Sequence, residues 1–510
     1  MSSPTLEPPA TSPVGRWPTA LIVAALAVMS CVAMSGRSLW IDEACTAMKA
    51  VPPTLGGWWQ VLSQDRSADL QMPLYMFYVW AWARVFGASE LSLHLANLPW
   101  FLAGAVAFVL AFPPGDRRRV SAACVALLCP FAWYYLDEAR PYAMQLGASL
   151  LVVASLVRLG RGHSLGRPDA HVGKGGAVAM FLCGLVVLSG SSLLGMVWAG
   201  AALAAMLAFL SPSPVVSLVK RYGYLWLAAG GCLLVFAAFY LWALSLGARA
   251  SAAATTTLGS AFFIGYELLG FSGLGPGRLE MRASGTAVLR PYLPWLTLYA
   301  VATATLIGAA VLEEVRRRNR RPLVLALACA VPAVFILGVG YVAHFRVLGR
   351  HFTPLLPALL LLLASGLAAL WSQRSAWAKG LALLFCLLSL GSCLSLRFLP
   401  RHEKDNYRAA ATLARTALRN GQTVWWSAAE EGARYYRVPL AAGSSQAGAA
   451  WLVLNPVRET LAPLPVPQVI ITSKPDIYDS QMALAEYVRE QHFEPVARFA
   501  AFIVWGRRER

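Results

Sequence analysis

Two adjacent carboxylates, Asp42 and Glu43, lie in a short polar stretch just after the first apolar segment of the chain. A carboxylate beside an acceptor hydroxyl can take its proton as a general base, which is worth roughly 10²–10⁴ in rate. A neighbouring carboxylate can orient a partner group. We predict that Asp42 and Glu43 are catalytic. The open alternative is that they only cap the start of a following helix.

A second acidic pair, Asp137 and Glu138, precedes Arg140 and Tyr142 at the end of a later apolar segment. Pro141 suits the first turn of the next helix, and acids in front of it suit the helix dipole. This local explanation covers the two acids but not Arg140. Arginine is usually scarce on the extracytoplasmic face of a membrane protein, where we predict this turn to lie. A functional site and a structural ion pair both stay open here.

A group of basic residues lies on the face that we predict to be the outer one, where arginine should be scarce. Charges held near a membrane are costly and tend to mark function. Guanidinium groups at the headgroup level suit a lipid phosphate or pyrophosphate. The open alternative is that they reach to lipid headgroups. The group consists of Arg249, Arg278, Arg282, Arg290, His344, Arg346, Arg350 and His351.

The composition determines which elements can position these groups. The chain has 510 residues, of which 58% are hydrophobic and 13% charged, with a mean hydropathy of +0.56. Soluble domains carry about twice that charge, so the sequence predicts a multi-pass α-helical membrane protein. The net charge of +18 lies in short clusters between apolar segments. Such clusters set membrane orientation and do not indicate nucleic-acid binding.

Residues 73–86 decide the predicted topology. As a helix they would reach about 21 Å, short of a hydrocarbon core of about 30 Å. They are also rich in Tyr and Trp, which prefer the headgroup level, so we place them along the interface. The short basic loops at 117–119, 158–174, 220–221, 316–321 and 374–379 then all face the cytoplasm. About eleven membrane helices follow, near 18–34, 91–112, 120–136, 141–159, 176–189, 193–210, 222–247, 291–312, 322–342, 352–371 and 379–397.

Three regions follow from this pattern. Residues 1–17 are predicted to be a disordered cytoplasmic tail, and 18–398 a transmembrane domain with outer loops at about 35–90 and 248–290. Residues 399–510 are predicted to form a small α/β domain outside the cytoplasm. In it we expect a helix at 405–419, capped by Asp405 and ended by 420–421, and a helix at 481–491. Strands of the same domain are expected at 423–426, 451–454, 469–472 and 500–505. A second interfacial helix is expected at 258–271, in the later outer loop of the transmembrane domain.

Several motifs together resemble those of bacterial glycosyltransferase family 39. They are residues 39–44 (LWIDEA), 73–75 (PLY), 137–143 (DEARPYA), 350–357 (RHFTPLLP) and 405–411 (DNYRAAA). That family has the GT-C fold and includes protein O-mannosyltransferases and the lipid A aminoarabinose transferase. The resemblance implies an inverting enzyme that moves a sugar from a polyprenyl-phosphate donor to a hydroxyl on an extracytoplasmic lipid, glycan or protein. It places the chain in a bacterial plasma (inner) membrane, with the site facing the periplasm or exterior.

The resemblance also implies roles for individual residues. Asp42 would be the base and Glu43 would position the acceptor. The donor and its phosphate would contact Glu138, Arg140, Tyr142, Arg350 and His351, with Asp137, Arg278 and Tyr75 as further candidates.

The resemblance implies no definite cofactor. It leaves a divalent metal open, but this chain has Gln71 and Met72 where many relatives carry His-Pro, which weakens the case for a metal. The expected partners are the polyprenyl-phosphate sugar lipid, the acceptor and the membrane, and no nucleic acid.

Two other classes of protein stay open. One is a transporter or flippase of lipid-linked glycan, which predicts ionisable residues at mid-depth and paired broken helices. The other is a non-catalytic factor of cell-envelope assembly, whose C-terminal domain binds partner proteins. The ionisable residues singled out above fall at the predicted rims of the membrane helices, which favours a transferase over a transporter.

Overall fold

The computed structural model describes residues 19–65, 67–164, 174–210, 212–247, 256–317, 321–441 and 448–507. The predicted tail at 1–17, Arg249 and parts of the basic loops at 158–174 and 316–321 lie outside the described residues. Within them the chain forms a helical bundle followed by one mixed sheet. The helices of the first half are α1 Thr19–Ala33, α2 Ile41–Ala50, α3 Leu55–Asp65, α4 Pro73–Phe86, α5 Glu90–Leu95, α6 Leu98–Leu110, α7 Arg117–Leu127, α8 Pro130–Leu136, α9 Tyr142–Ser164, α10 Lys174–Ser191, α11 Leu193–Leu210, α12 Pro212–Arg221 and α13 Gly223–Ser245.

The second half continues the bundle and then enters the sheet. Short 3₁₀ helices at Ala68–Gln71, Phe271–Gly273, Gly285–Tyr292, Gly349–Leu355 and Pro400–His402 connect several of the α-helices. The remaining helices are α14 Leu258–Leu268, α15 Arg278–Ser284, α16 Leu293–Arg316, α17 Arg321–Val342, α18 Leu356–Ser372, α19 Ala376–Phe398, α20 Tyr407–Arg419, α21 Glu430–Tyr435, α22 Arg458–Leu461, α23 Pro475–Tyr478 and α24 Ala483–Glu490.

The bundle is that of a multi-pass membrane protein, as predicted. In the described part of the chain, nine helical segments are long and apolar enough to cross a bilayer. Helices α7 and α8 form a further pair, bent by 48°, and α1 is a shorter apolar helix. Each of the eleven predicted spans coincides with one of these elements, while the number that cross the membrane stays a prediction. Residues 73–86 form the separate helix α4, and its place at the interface also stays a prediction.

Close helix packing positions the turn before α9. A Cβ on Gly147 of α9 would overlap the carbonyl oxygen of Trp100 in α6, so glycine lets the two backbones meet. At the start of α6, the Asn97 side chain donates to the carbonyl oxygens of Leu136, at 3.1 Å, and Glu138, at 2.6 Å. The acidic turn at 137–140 is therefore fixed against the first third of the bundle.

The predicted C-terminal α/β region contains six strands in the order β2-β3-β1-β4-β6-β5. Strands β2, β3, β1 and β4 pair in parallel, and β4-β6 and β6-β5 pair antiparallel. Strand β1, in the interior of the sheet, is fully buried, and its Trp425 and Trp426 have no exposed surface. The strands are β1 Val424–Ser427, β2 Leu440–Ala441, β3 Ala450–Leu452, β4 Val469–Ser473, β5 Phe493–Phe499 and β6 Phe502–Arg507.

One local prediction was wrong, and two others had shifted bounds. Asn406, not Asp405, caps α20, because its side chain accepts from the Ala409 amide at 3.1 Å while the Asp405 carboxylate pairs with Lys474. The strand predicted at 500–505 is present as β6 but begins at Phe502, because the chain turns at Ala501 between it and β5, which was not predicted. The helix predicted at 258–271 ends at Leu268, because Gly270 adopts a φ of +87° and starts a separate 3₁₀ turn.

The sheet region contacts the segment that leads into α2. Helix α21 packs against α2. The Tyr436 hydroxyl accepts from the Leu39 amide at 3.0 Å, and the Tyr435 hydroxyl donates to the Ala88 carbonyl at 2.7 Å. Arg408 of α20 adds an ion pair with Glu90 at 2.8 Å. The C-terminal region thus supports the start of α2, where the first acidic pair lies.

Candidate active site

The Asp42 carboxylate and the Arg350 guanidinium lie 3.2 Å apart, although they are far apart in the sequence. Asp42 sits in the first turn of α2, and Arg350 in the 3₁₀ helix before α18. Both side chains are partly open to solvent, at 28% and 18% exposure. The guanidinium carbon of Arg350 lies 5.6 Å from the Trp40 ring centre and 5.5 Å from that of Tyr142. The structure therefore brings the acidic pair at 42–43 together with Arg350 of the predicted basic group.

Glu43 points away from this opening and is fully buried. One carboxylate oxygen accepts from the Ala139 amide at 2.6 Å and lies 2.9 Å from His94 Nε2 and 3.3 Å from Lys404 Nζ. The other accepts from the Trp40 amide at 3.1 Å, so Glu43 does cap α2. Burial alone would raise the pKa of Glu43, but the charges of Lys404 and His94 outweigh it and lower the pKa to about 2. Glu43 is a buried anion that fixes the start of α2.

Asp137 holds the segment in front of α2. Its carboxylate accepts from the Ser35 hydroxyl, at 2.7 and 2.9 Å, and from the Ser35 amide. His94 Nδ1 lies 3.5 Å from the same carboxylate and 2.6 Å from the Ser35 carbonyl oxygen. Lys404 donates to the Asp137 carbonyl oxygen. Asp137 therefore belongs to the support of the site, and its contacts are all with protein groups.

Glu138 differs from the other three carboxylates. It is fully buried, and neither side-chain oxygen has a hydrogen-bond partner among the described residues. Burial and the negative charge of Glu43 raise the pKa of Glu138 above its usual value, although Lys404 and Arg350 act in the opposite direction. A buried carboxyl without a partner is costly when ionised. We therefore expect Glu138 to hold its proton far more readily than Glu43.

Arg140 forms a buried structural ion pair, which is one of the two alternatives that the sequence left open. Its guanidinium pairs with buried Asp69 at 2.7 Å and donates to the Thr46 hydroxyl at 2.9 Å and the Asp42 carbonyl at 3.2 Å. Lys49 pairs with the same Asp69 carboxylate at 2.7 Å. Burial would raise the pKa of Asp69, but the two cations lower it. Arg140 thus connects the turn before α9 to α2 through the Asp42 carbonyl oxygen and the Thr46 hydroxyl, and leaves the Asp42 carboxylate open.

Tyr75 and His351 lie at the edges of this arrangement. Tyr75 in α4 is fully buried, its hydroxyl lacks a partner among the described residues, and burial raises its pKa well above the usual value. His351 Nδ1 accepts from the Leu348 amide at 3.2 Å, and its carbonyl accepts from the Trp198 indole at 3.0 Å. These contacts make His351 a cap of the 3₁₀ helix that carries Arg350. In the described ranges, no group of three or more His, Cys, Asp or Glu residues is arranged to hold a metal ion.

Arg278 lies in a neighbouring cleft. It pairs with buried Glu267 and donates to the hydroxyls of Tyr134, at 2.8 Å, and Tyr135, at 3.0 Å. Together with Tyr134 and His402 it lines a small cleft of about 30 Å³. The structure therefore places Arg278 near the site but already engaged with a carboxylate.

Sequence reasoning missed Lys404, His94 and Asp69, which are all buried in the support of the site. Each makes its contact with a residue distant in the sequence, or with one in an unrelated motif. The one local signal was the charged run at 401–405, which overlaps the start of the resembling motif at 405–411. A lysine in such a charged run is ordinarily exposed to solvent, so the burial of Lys404 was not predictable from the sequence.

The comparisons with known proteins bear on the fold. No family model matches the chain, and no curated protein matches it. The crystal structure of ArnT from Cupriavidus metallidurans in the apo state matches at a TM-score of 0.52 and 15% identity, over 96% of this chain and 97% of that one. The chain has the GT-C fold. The fold predicted from the sequence motifs is confirmed, and at this identity the likeness shows the fold alone.

Two further solved structures align over the same share of the chain with lower scores. ArnT from Cupriavidus metallidurans bound to undecaprenyl phosphate matches at a TM-score of 0.47 and 16% identity, covering 96% of this chain and 98% of that one. The arabinofuranosyltransferase AftD from Mycobacteria matches at 0.43 and 12%, covering 96% of this chain and 40% of that one.

Proposed function

We propose that this GT-C chain is a membrane glycosyltransferase that moves a sugar from a polyprenyl-phosphate donor to a hydroxyl on an extracytoplasmic acceptor, with inversion. The observation that carries the proposal is the pairing of Asp42 with Arg350 at 3.2 Å, with both side chains partly open to solvent. A carboxylate that can accept a proton and a guanidinium that can bind a phosphate are the two groups this reaction needs. They lie next to each other on supports that are otherwise buried.

The reaction balances with these two groups. The bond between the anomeric carbon and the phosphate oxygen breaks, and its electron pair leaves with the polyprenyl phosphate. The acceptor oxygen forms the new bond from the opposite face of the sugar and gives its proton to the Asp42 carboxylate. Arg350 stabilises the negative charge that develops on the departing phosphate. Because the leaving group is already stable, the enzyme mainly removes the acceptor proton and neutralises this charge.

Arg350 has a donor to spare for a phosphate. One of its terminal nitrogens pairs with Asp42, while Nε is buried and has no hydrogen-bond partner among the described residues. Arginine commonly binds phosphate oxygens through two parallel N–H groups. A donor phosphate that takes both would draw Arg350 off Asp42 and free the carboxylate to act as a base. Donor binding would then precede acceptor activation.

The other predicted residues take supporting places in this proposal. Glu43 makes four contacts with protein groups, so it acts on the acceptor by holding Asp42 in place. Glu138 and Tyr142 border the donor pocket next to Arg350. Arg278 faces the adjoining cleft and is the candidate for a second contact with the donor. His351 holds the Arg350 turn, and Arg140, Asp137 and Tyr75 belong to the buried supports.

The donor class follows from the membrane setting and the arginine. A sugar carried on a polyprenyl phosphate keeps its lipid among the helices while its phosphate reaches the headgroup level, where Arg350 is proposed to lie. ArnT from Cupriavidus metallidurans binds undecaprenyl phosphate, a lipid of this class. We propose that the N-terminus lies in the cytoplasm and the C-terminus outside, and that the site faces the periplasm or exterior of a bacterial inner membrane.

The proposal is tested in cells and with purified protein. Lipids of a deletion strain are read by mass spectrometry, and a polyprenyl-phosphate sugar should accumulate. That lipid is then supplied to the purified protein in nanodiscs, where we expect release of polyprenyl phosphate and transfer of the sugar to an acceptor from the same strain. Movement of the lipid across vesicle membranes without loss of its sugar would overturn the proposal and support a flippase.

A further inference from the structure

Lys404 lies outside the membrane helices, in the segment between the 3₁₀ helix Pro400–His402 and α20, yet its side chain is only 6% exposed. Its ammonium group lies 3.3 Å from Glu43 Oε1 and donates to the carbonyl oxygen of Asp137. It also lies 5.8 Å from the centre of the Tyr134 ring. A cation from the C-terminal part of the chain therefore contacts both acidic motifs of the candidate active site.

The titratable groups around Glu43 come from five directions, and two of these groups are the phenols of Tyr75 in α4 and Tyr435 in α21. His94 approaches from α5, Asp137 and Glu138 lie in the turn after α8, and Lys404 approaches from the C-terminal side. Among the described residues only His94 and Lys404 contact the Glu43 carboxylate as cations, and His94 is one only when protonated. Burial alone would lower the pKa of Lys404, but Glu43 and Asp137 raise it. Lys404 thus stays charged where an imidazole would titrate.

We propose that Lys404 is a positioning residue of the active site: it is the fixed cation that keeps Glu43 ionised, and so keeps Asp42 in place, whatever the protonation state of His94. The C-terminal region is then part of the active site. The catalytic consequence rests on the proposed function, whereas the charge role does not.

The proposal predicts a pH dependence that a purely structural role would not give. In Lys404→Met the buried group made by Glu43 and His94 loses its fixed positive charge, and so binds a proton more tightly. The extra proton is bound at low pH and compensates the missing cation. As the pH rises the proton leaves, and an uncompensated buried anion remains. The defect of Lys404→Met should therefore be small at pH 6 and large at pH 8.5.

Thermal unfolding of the purified full chain tests the charge role without any substrate. We expect the melting temperature of Lys404→Met to fall further below wild type at pH 8.5 than at pH 6, by about 1–2 °C, the shift that about one pKa unit gives in a chain of 510 residues. Lys404→Arg, which keeps the charge, should show no such trend. Arg408→Gln is the matched control, because it removes an ion pair of the same interface that is 47% exposed on its arginine side. An equal deficit of Lys404→Met at both pH values, or none at either, would overturn the proposal.

Transfer activity then tests the positioning role. Relative to wild type at the same pH, Lys404→Met should lose about tenfold in kcat at pH 8.5 and recover most of it at pH 6, with little change in donor KM. A loss independent of pH would overturn the positioning role. Failure of the proposed function gives a different result, since wild type would then transfer no sugar while the pH trend in melting temperature persists.

Discussion

At the scale of single residues, two fully buried carboxylates, Glu43 and Glu138, experience opposite environments. Glu43 accepts or faces four positively polarised groups, whereas Glu138 has no hydrogen-bond partner within the described ranges. The protein thus holds one carboxyl as an anion and the other closer to its neutral form. The sequence shows two identical side chains, and only the tertiary contacts separate them.

Replacing each by glutamine should have opposite effects on stability. Glu43→Gln leaves Lys404 without its anion and replaces one accepting oxygen by an NH₂ group, which would face a backbone N–H. We therefore expect a loss of about 3–5 kcal/mol in the free energy of unfolding. Glu138→Gln resembles the protonated carboxyl and should be neutral or stabilising. Chemical denaturation of the two purified variants at pH 7.5 gives the measurement. A large loss in Glu138→Gln, or none in Glu43→Gln, would contradict these assignments.

The two variants should also differ in pH dependence. The depressed pKa of Glu43 contributes stability above its usual value of 4.5, which is lost as the pH falls towards about 2. The raised pKa of Glu138 works the other way, because its stability is lost as the pH rises through the folded-state value. Glu138→Gln should therefore gain on wild type as the pH increases.

Arg350→Ala should weaken donor binding more than it slows chemistry. Loss of a guanidinium that binds phosphate removes two charge-assisted hydrogen bonds, so we expect donor KM to rise by about tenfold or more. Arg350→Lys should recover only part of this, since an ammonium group cannot bind bidentately. Arg374→Ala, which changes an exposed arginine of a predicted cytoplasmic loop, is the control. An unchanged donor KM in Arg350→Ala would rule out the phosphate role.

At the scale of the elements, the sequence predicted the helices well because their apolar lengths are set locally. The eleven predicted spans, the helix at 73–86 and the strand at 469–472 all have their counterparts in the structure. The cap of α20 was misplaced because Asp405 and Asn406 are both good cap residues, and only the pairing of Asp405 with Lys474 decides between them. The supports of the site were missed for a similar reason, since Arg140–Asp69 and Lys404–Glu43 are long-range pairs.

The 3₁₀ helix that carries Arg350 depends on a close approach to α14. A Cβ on Gly349 would overlap the carboxylate of Glu267, which also holds Arg278. Gly349→Ala should therefore shift both arginines, lowering stability by about 1–3 kcal/mol and reducing transfer. Gly308→Ala is the matched control, because a Cβ there meets nothing within 4 Å and alanine favours a helix. Full activity in Gly349→Ala would show that Arg350 does not need this packing.

At the scale of the whole molecule, the site and the sheet should lie on one side of the membrane and the basic loop at 117–119 on the other. Single cysteines at Arg408 and Arg117, both exposed, report the two sides in a background without the nine native cysteines. An impermeant maleimide should label position 408 in intact spheroplasts, and position 117 only after permeabilisation. Labelling of both positions from outside would contradict the predicted orientation.

The central claim is that Asp42 takes the acceptor proton in a site where Arg350 holds the donor. The most direct measurement compares donor binding with turnover in Asp42→Asn, reconstituted beside wild type. We predict that the variant folds and binds the polyprenyl-phosphate donor at least as tightly, because Arg350 loses a competing anion. Its kcat for sugar transfer should be at least 10²-fold lower, the size of roughly one general-base effect. Turnover by Asp42→Asn at a rate near wild type would contradict the account.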